Sequence, residues 1–118
     1  MDSSFATLTL AALAQPTRLE AFRRLVARLP DGLPAGELAQ ALAVPQNTLS
    51  SHLAILQRAS LVTSEKRGRL IVYRADLDTI RGLAMFLLAD CCGGHPDLCL
   101  PIITEITPCC AAKASANA

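Results

Sequence analysis

Between Pro34 and Arg58 two helical apolar patterns follow one another with almost no chain between them. Leu38 and Leu42 stand four apart in the first, and Leu49, Leu53 and Leu56 recur at four and three residues in the second. Each set therefore lies on one helix face. Only Ala43, Val44 and Pro45 intervene, so two short helices must meet across a tight turn and bury their leucines together. The second helix, expected at about residues 46–57, opens with Gln46, Asn47, Thr48, Ser50, Ser51 and His52 off its leucine face. Amide and hydroxyl groups pair with base edges and phosphates, and a helix N-terminus favours an anion. This is the layout of a helix-turn-helix whose second helix enters the major groove of DNA.

Two short strands are expected next, over Leu61–Glu65 and Leu70–Arg74, around Lys66-Arg67-Gly68-Arg69 with Gly68 supplying the turn. Three cations at a hairpin tip repel one another, so Lys66, Arg67 and Arg69 must face solvent or a polyanion. The whole chain carries only +1, yet residues 45–75 carry +4, which leaves −3 for the rest. That balance excludes a polybasic protein and an acidic disordered tail while concentrating positive charge in one segment. A helix-turn-helix followed by a basic hairpin predicts a winged helix: mainly α with a small β-hairpin.

The flanks supply more helix than one small core needs. Ser3 or Ser4 is expected to cap a helix over Phe5–Ala14, and Pro16 to open another through Leu29, stopped by Pro30-Asp31-Gly32. In the latter Leu19, Phe22, Leu25, Val26 and Leu29 form the stripe, with Arg18, Arg24 and Arg28 on a solvated face. Asp76 caps a last helix with Leu77, Ile80, Leu83, Ala84, Leu87 and Leu88 as its stripe and Gly93-Gly94 as its stop. At 118 residues the chain has the size of one domain. The first helix, with Phe5, Leu8 and Leu13, and the last are therefore expected to meet their equals in a homodimer, which would set two recognition helices about one DNA turn apart. The division expected is 1–92 for DNA binding and dimerisation and 93–118 for a cysteine-containing loop and tail.

No Lys or Arg precedes the mildly apolar Phe5–Ala14, so no secretory signal is read there, and no apolar run approaches the roughly 18 residues of a bilayer span. A cytoplasmic protein with no membrane partner is expected. All five cysteines, Cys91, Cys92, Cys99, Cys109 and Cys110, fall in the last 28 residues. An odd number, four of them in two adjacent pairs, with no export signal read, points to reduced thiols. Soft-metal or metalloid binding, redox sensing and simple apolar filling are the uses open to them. No Cys-x-x-Cys stands at a strand-to-helix junction and no base is placed beside the thiols, so an enzyme is not expected.

The sequence resembles the ArsR/SmtB family of metal- and metalloid-responsive winged-helix repressors. The likeness runs through Leu13-Ala14-Gln15-Pro16-Thr17-Arg18-Leu19, Gly36-Glu37-Leu38-Ala39, Gln46 to Leu56, Leu61-Val62, and Arg67-Gly68-Arg69 before Tyr73. It implies a homodimer on operator DNA that lets go when its inducer binds. Arsenic-type members carry a Cys-x-Cys pair in the helix before the recognition helix, but Glu37-Leu38-Ala39-Gln40 stands there instead. Zinc-type members carry His and carboxylates on the last helix, where this chain has Asp76, Asp78 and Arg81 and no His. Cys91-Cys92-Gly93-Gly94-His95-Pro96-Asp97-Leu98-Cys99 looks like the end-of-helix thiol site of an arsenite-responsive subgroup.

The chemistry of that string agrees with the resemblance. Trivalent arsenic is soft and takes three thiolates in a pyramid. Cys91 and Cys92 offer two, and the Gly-Gly pair with Pro96 can return Cys99 over a short loop at modest closure entropy. Arsenite, or a related trivalent arsenical or antimonite, is the inducer expected. Zinc, cadmium or lead on a Cys3His set with His95 is the alternative, as is thiol oxidation. Cys109 and Cys110 are possible auxiliary ligands.

Overall fold

The computed structural model of the chain describes residues 1–88. Met1–Phe86 form one compact unit; Leu87–Ala118 are a second, of which only Leu87 and Leu88 are described. The candidate ligands Cys91, Cys92, Cys99, Cys109 and Cys110, together with His95, lie outside the described residues.

The elements run α1 (Ser3–Leu13), α2 (Pro16–Ala27), β1 (Leu33–Pro34), α3 (Ala35–Leu42), α4 (Gln46–Arg58), β2 (Val62–Arg67), β3 (Leu70–Ala75) and α5 (Leu77–Leu88). The sheet is antiparallel with order β1-β3-β2. This is a winged helix-turn-helix, mainly helical with a small sheet, as the sequence predicts. Several boundaries differ. Asp2 rather than Ser3 or Ser4 caps α1, its carboxylate accepting from the Phe5 N–H at 2.8 Å. The carboxylate is a strong acceptor and also opposes the helix dipole. The second helix stops at Ala27, before the expected Leu29. The hairpin strands reach Arg67 and Ala75, so Lys66 and Arg67 sit in β2 rather than in the turn. No sequence pattern announces the third strand, β1. Its two residues pair with Tyr73 and Val72.

The core gathers Ala21, Phe22 and Leu25 of α2, Leu38 and Ala39 of α3, and Leu49, Leu53 and Leu56 of α4, closed by Ala59, Leu61, Val62 and Ala75. Leu49, Leu53 and Leu56 have no exposed surface, which fixes α4 by the stripe that predicts it. Gly32 explains how β1 can lie so close to β3. Its φ is +82°, and a Cβ there would stand 2.5 Å from the Tyr73 carbonyl oxygen. Only glycine fits both conditions.

The outer helices behave differently. Leu83 is the buried residue of α5, whereas Leu77, Met85 and Leu87 are exposed, Met85 at 67%. In α1 the buried face is Ala6, Thr9 and Ala12, and Leu8 and Leu10 face outward. Leu19, expected in the α2 core stripe, is 46% exposed. Its helix packs Ala21, Phe22 and Leu25 inward instead, one face being enough to meet α3 and α4.

Candidate nucleic-acid interface

The turn between α3 and α4 rests on Ala43, which adopts the left-handed conformation (φ 56°, ψ 43°) and donates its N–H to the carbonyls of Ala39 and Gln40. Val44 N–H also reaches the Ala39 oxygen at 3.1 Å. These bonds satisfy the carbonyls at the end of α3 and redirect the chain at once into α4. At the entry to α4, Pro45 is the N-cap and offers no side-chain acceptor.

Gln46, Asn47, Thr48, Ser50 and Ser51 are all exposed on α4, opposite its buried leucines. The Asn47 side-chain oxygen accepts from the Thr48 N–H at 3.0 Å. Ser50 donates its hydroxyl to the Gln46 carbonyl at 2.9 Å, and Ser51 to the Asn47 carbonyl at 3.4 Å. In this state each serine presents a lone pair outward, so it is an acceptor, while the Gln46 amide offers both donor and acceptor. Gln46 lies over α3, because a Cβ on Gly36 would come within 3.3 Å of its Oε1. The sequence gives no sign of that contact beyond the glycine itself.

His52 is set apart from the five. It is half-buried, and its Nδ1 lies 3.4 Å from Nη1 of Arg18. Arg18 also donates from Nε to the Ala12 carbonyl at 2.6 Å and from Nη2 to the Ala11 carbonyl at 3.5 Å. The reason is local. In a continuing helix Ala12 O would accept from the residue four ahead, but that residue is Pro16, which has no N–H. Arg18 supplies the missing donor, so it is a tie between α1, α2 and α4 rather than part of a solvated face. Gln15 completes the junction by capping α2, accepting from the Arg18 N–H at 2.8 Å.

The wing is joined to α4 by a bond from Gln57 Nε2 to Ser64 Oγ, 2.9 Å. The hairpin register pairs Glu65 with Val72, Lys66 with Ile71 and Arg67 with Leu70. Directly paired residues share a sheet face, so Lys66 and Ser64 lie on one face and Glu65 and Arg67 on the other. Lys66 and Arg69 have no carboxylate within ion-pair distance among the described residues. Arg67 does: its Nε is 3.1 Å from Glu65 Oε1. The same oxygen accepts from Arg74 Nη2 at 2.8 Å, and Arg74 Nε donates to the Pro30 carbonyl at 2.9 Å. The hydrogen bond from Arg74, then the charge of Arg67, holds the Glu65 carboxyl below the usual glutamate range.

The described residues thus leave Gln46, Asn47, Thr48, Ser50, Ser51, Lys66 and Arg69 exposed, and engage His52 and Arg67 in contacts within the domain. No group of three or more His, Cys, Asp or Glu side chains among them is placed to hold a metal ion. No helix among them is long and apolar enough to cross a membrane.

Residues 13–65 match a family described as a helix-turn-helix domain. Over 66 residues the chain is 39% identical to the transcriptional regulator NmtR of Mycobacterium tuberculosis, a match covering 55% of this chain and 52% of that protein. The chain thus spans about half the length of that relative. It is 31% identical over 86 residues to the transcriptional activator HlyU of Vibrio cholerae, covering 73% of this chain and 77% of HlyU. The structure of reduced HlyU superposes with a TM-score of 0.59 at 30% identity, covering 76% of this chain and 92% of that one. An ArsR-like transcriptional regulator from Rhodococcus sp. RHA1 superposes with a TM-score of 0.66 at 33% identity, over 87% of this chain and 92% of that one. A structure described as a "Possible transcriptional regulator for arsenical resistance" gives 0.59 at 29% identity, over 67% and 79%.

Proposed function

Because the chain belongs to the ArsR/SmtB family of winged-helix transcriptional regulators, we propose that it is a homodimeric repressor that holds operator DNA until trivalent arsenic binds its C-terminal thiolates. The observation that carries the DNA half is the amide and hydroxyl row at the start of α4, exposed while Leu49, Leu53 and Leu56 behind it are buried. Gln46 and Asn47 have the side chains that pair with two atoms of an adenine edge, and Ser50 and Ser51 accept from an exocyclic amino group. Lys66 and Arg69 neutralise phosphates and fix register. Dimerisation covers the apolar surface that α1 and α5 leave open, at Leu8, Leu10, Leu77, Met85 and Leu87.

The sensing half rests on the sequence. Cys91, Cys92 and Cys99 give the three soft donors that arsenite or antimonite takes, with Cys109 and Cys110 as auxiliary donors. The arsenical-resistance relative supports this choice. Residues 1–92 form the DNA-binding and dimerisation part and 93–118 the thiol-bearing tail, in the cytoplasm, where thiols stay reduced. Capture of arsenic just past α5 strains the dimer helices and alters the spacing of the two α4 helices. Changing the DNA-competent population from 99% to 1% requires roughly 5.5 kcal/mol of differential affinity, within reach of several sulfur bonds.

A mobility-shift titration on promoter fragments, with the protein fully reduced, tests the reading. Arsenite releases the probe from the wild type, and Cys99→Ser binds the probe but is not released. Release of Cys99→Ser at the wild-type arsenite concentration removes the assigned triad. The likeness to reduced HlyU favours one second reading, oxidation of the tail thiols. Release by peroxide without arsenite would establish it, and release only by zinc, cadmium or lead would put a divalent ion in arsenic's place.

A further inference from the structure

The tip of the wing presents three cations, but they do not stand alike. Lys66 shares its sheet face with Ser64, the residue bonded to α4 through Gln57. Arg69 follows Gly68 in the turn. Arg67 lies on the opposite face, with its guanidinium on Glu65. The carboxylate is itself held from behind, since Arg74 binds the same oxygen and is anchored to the Pro30 carbonyl. The two arginines differ in freedom: the Arg74 side chain is 23% exposed and that of Arg67 is 57% exposed. Arg74 therefore fixes Glu65 to the body of the domain, and Glu65 fixes Arg67.

We propose that Glu65 selects which wing cations meet DNA, occupying Arg67 as an internal substitute for phosphate and leaving Lys66 and Arg69 to the polyanion. The proposal rests on the DNA-binding reading above and assigns Glu65 a role in it. A carboxylate oxygen and a phosphate oxygen compete for the same guanidinium. While Glu65 holds Arg67, the wing neutralises one phosphate fewer per protomer than its sequence offers. Affinity is lowered without loss of any contact that reads a base, which keeps the complex within reach of release by an inducer.

The test uses the full-length reduced protein and a short mixed-sequence duplex, because phosphate contacts do not depend on sequence. Dissociation constants are measured by fluorescence anisotropy over a range of salt concentrations for the wild type, Glu65→Gln, Arg67→Ala and the double variant. Each variant is first checked by circular dichroism for an unchanged helical spectrum. Glu65→Gln is expected to bind up to about fivefold tighter per protomer, the upper worth of an exposed ion pair. Its log–log salt slope steepens by about 0.9 for each phosphate newly neutralised. In the Arg67→Ala background the same substitution is expected to change neither quantity.

A gain that persists without Arg67 means that Glu65 acts only by its general field, and the proposal is overturned. Unchanged or weaker binding by Glu65→Gln means that the carboxylate supports the wing rather than withholding an arginine, and this also overturns it. Failure of the wild type to bind any duplex is a different result, which removes the DNA-binding reading itself.

Discussion

Replacing Arg18 by Ala isolates the junction that holds α1 to α4. Three contacts are lost, but they are unequal. The bond from Nε to Ala12 O, at 2.6 Å, is short and charge-assisted, and it serves a carbonyl in a residue only 2% exposed whose ordinary donor position is taken by Pro16. Those to Ala11 O at 3.5 Å and His52 Nδ1 at 3.4 Å are at the limit of useful geometry, and Ala11 O keeps the Ala14 N–H. The first contact therefore dominates, and Arg18→Ala should cost about 2 kcal/mol, a large part of the roughly 5–15 kcal/mol of a typical domain. At the usual scaling this lowers the melting temperature by roughly 8–16 °C. His52→Ala should cost well under half as much, about 0.5 kcal/mol. Urea unfolding followed by circular dichroism at one fixed protein concentration measures both, because the dimerisation proposed above would make apparent stability concentration-dependent. If Arg18→Ala unfolds within about 0.5 kcal/mol of wild type, or His52→Ala costs as much, the Ala12–Arg18 bond does not carry the junction.

Gly32→Ala is expected to destabilise by more than about 2 kcal/mol, from left-handed strain plus a backbone clash with Tyr73 O, and denaturant midpoints will show it. Met85→Glu places a charge on the exposed face of α5 and should shift analytical ultracentrifugation profiles from dimer to monomer while leaving the helical spectrum unchanged. The Glu65 carboxyl should titrate below an unstructured glutamate when followed by carbon-detected NMR. Since its folded value is depressed, its ion pairs contribute above the unfolded glutamate value and are lost as pH falls through the folded one. Arg74→Ala, which removes the largest cause, should move that midpoint back toward the ordinary range.

What the sequence disclosed depended on whether a residue's partner lay within its own segment. Leu49, Leu53 and Leu56 announce α4 because one helix face carries the whole signal, and Asp76 announces α5 because its oxygen bonds the Asp78 N–H two residues on, at 3.0 Å. β1 was hidden because two residues have no period, and its pairing lies some forty residues away at Val72 and Tyr73. Arg18 stands off the α2 stripe and so carries the pattern of a solvated residue, yet its acceptors belong to α1. The Glu65–Arg67 pair was legible in principle, since residues two apart share a strand face. The charge cluster around Gly68 hides it, because it has the pattern of a turn although Lys66 and Arg67 belong to β2. Leu8, Leu19 and Met85 show a different limit: a helical pattern marks a side chain as apolar without saying which chain covers it.

The coupling between thiol chemistry and DNA is tested most directly by measuring arsenite affinity twice, for the free reduced protein and for the protein saturated with operator DNA. Linkage requires that DNA weaken arsenite binding by the same factor by which arsenite weakens DNA binding. The account predicts two equal factors, of the order of 10⁴ for near-complete release. Equal arsenite affinity with and without DNA would contradict it, whatever the protein binds separately.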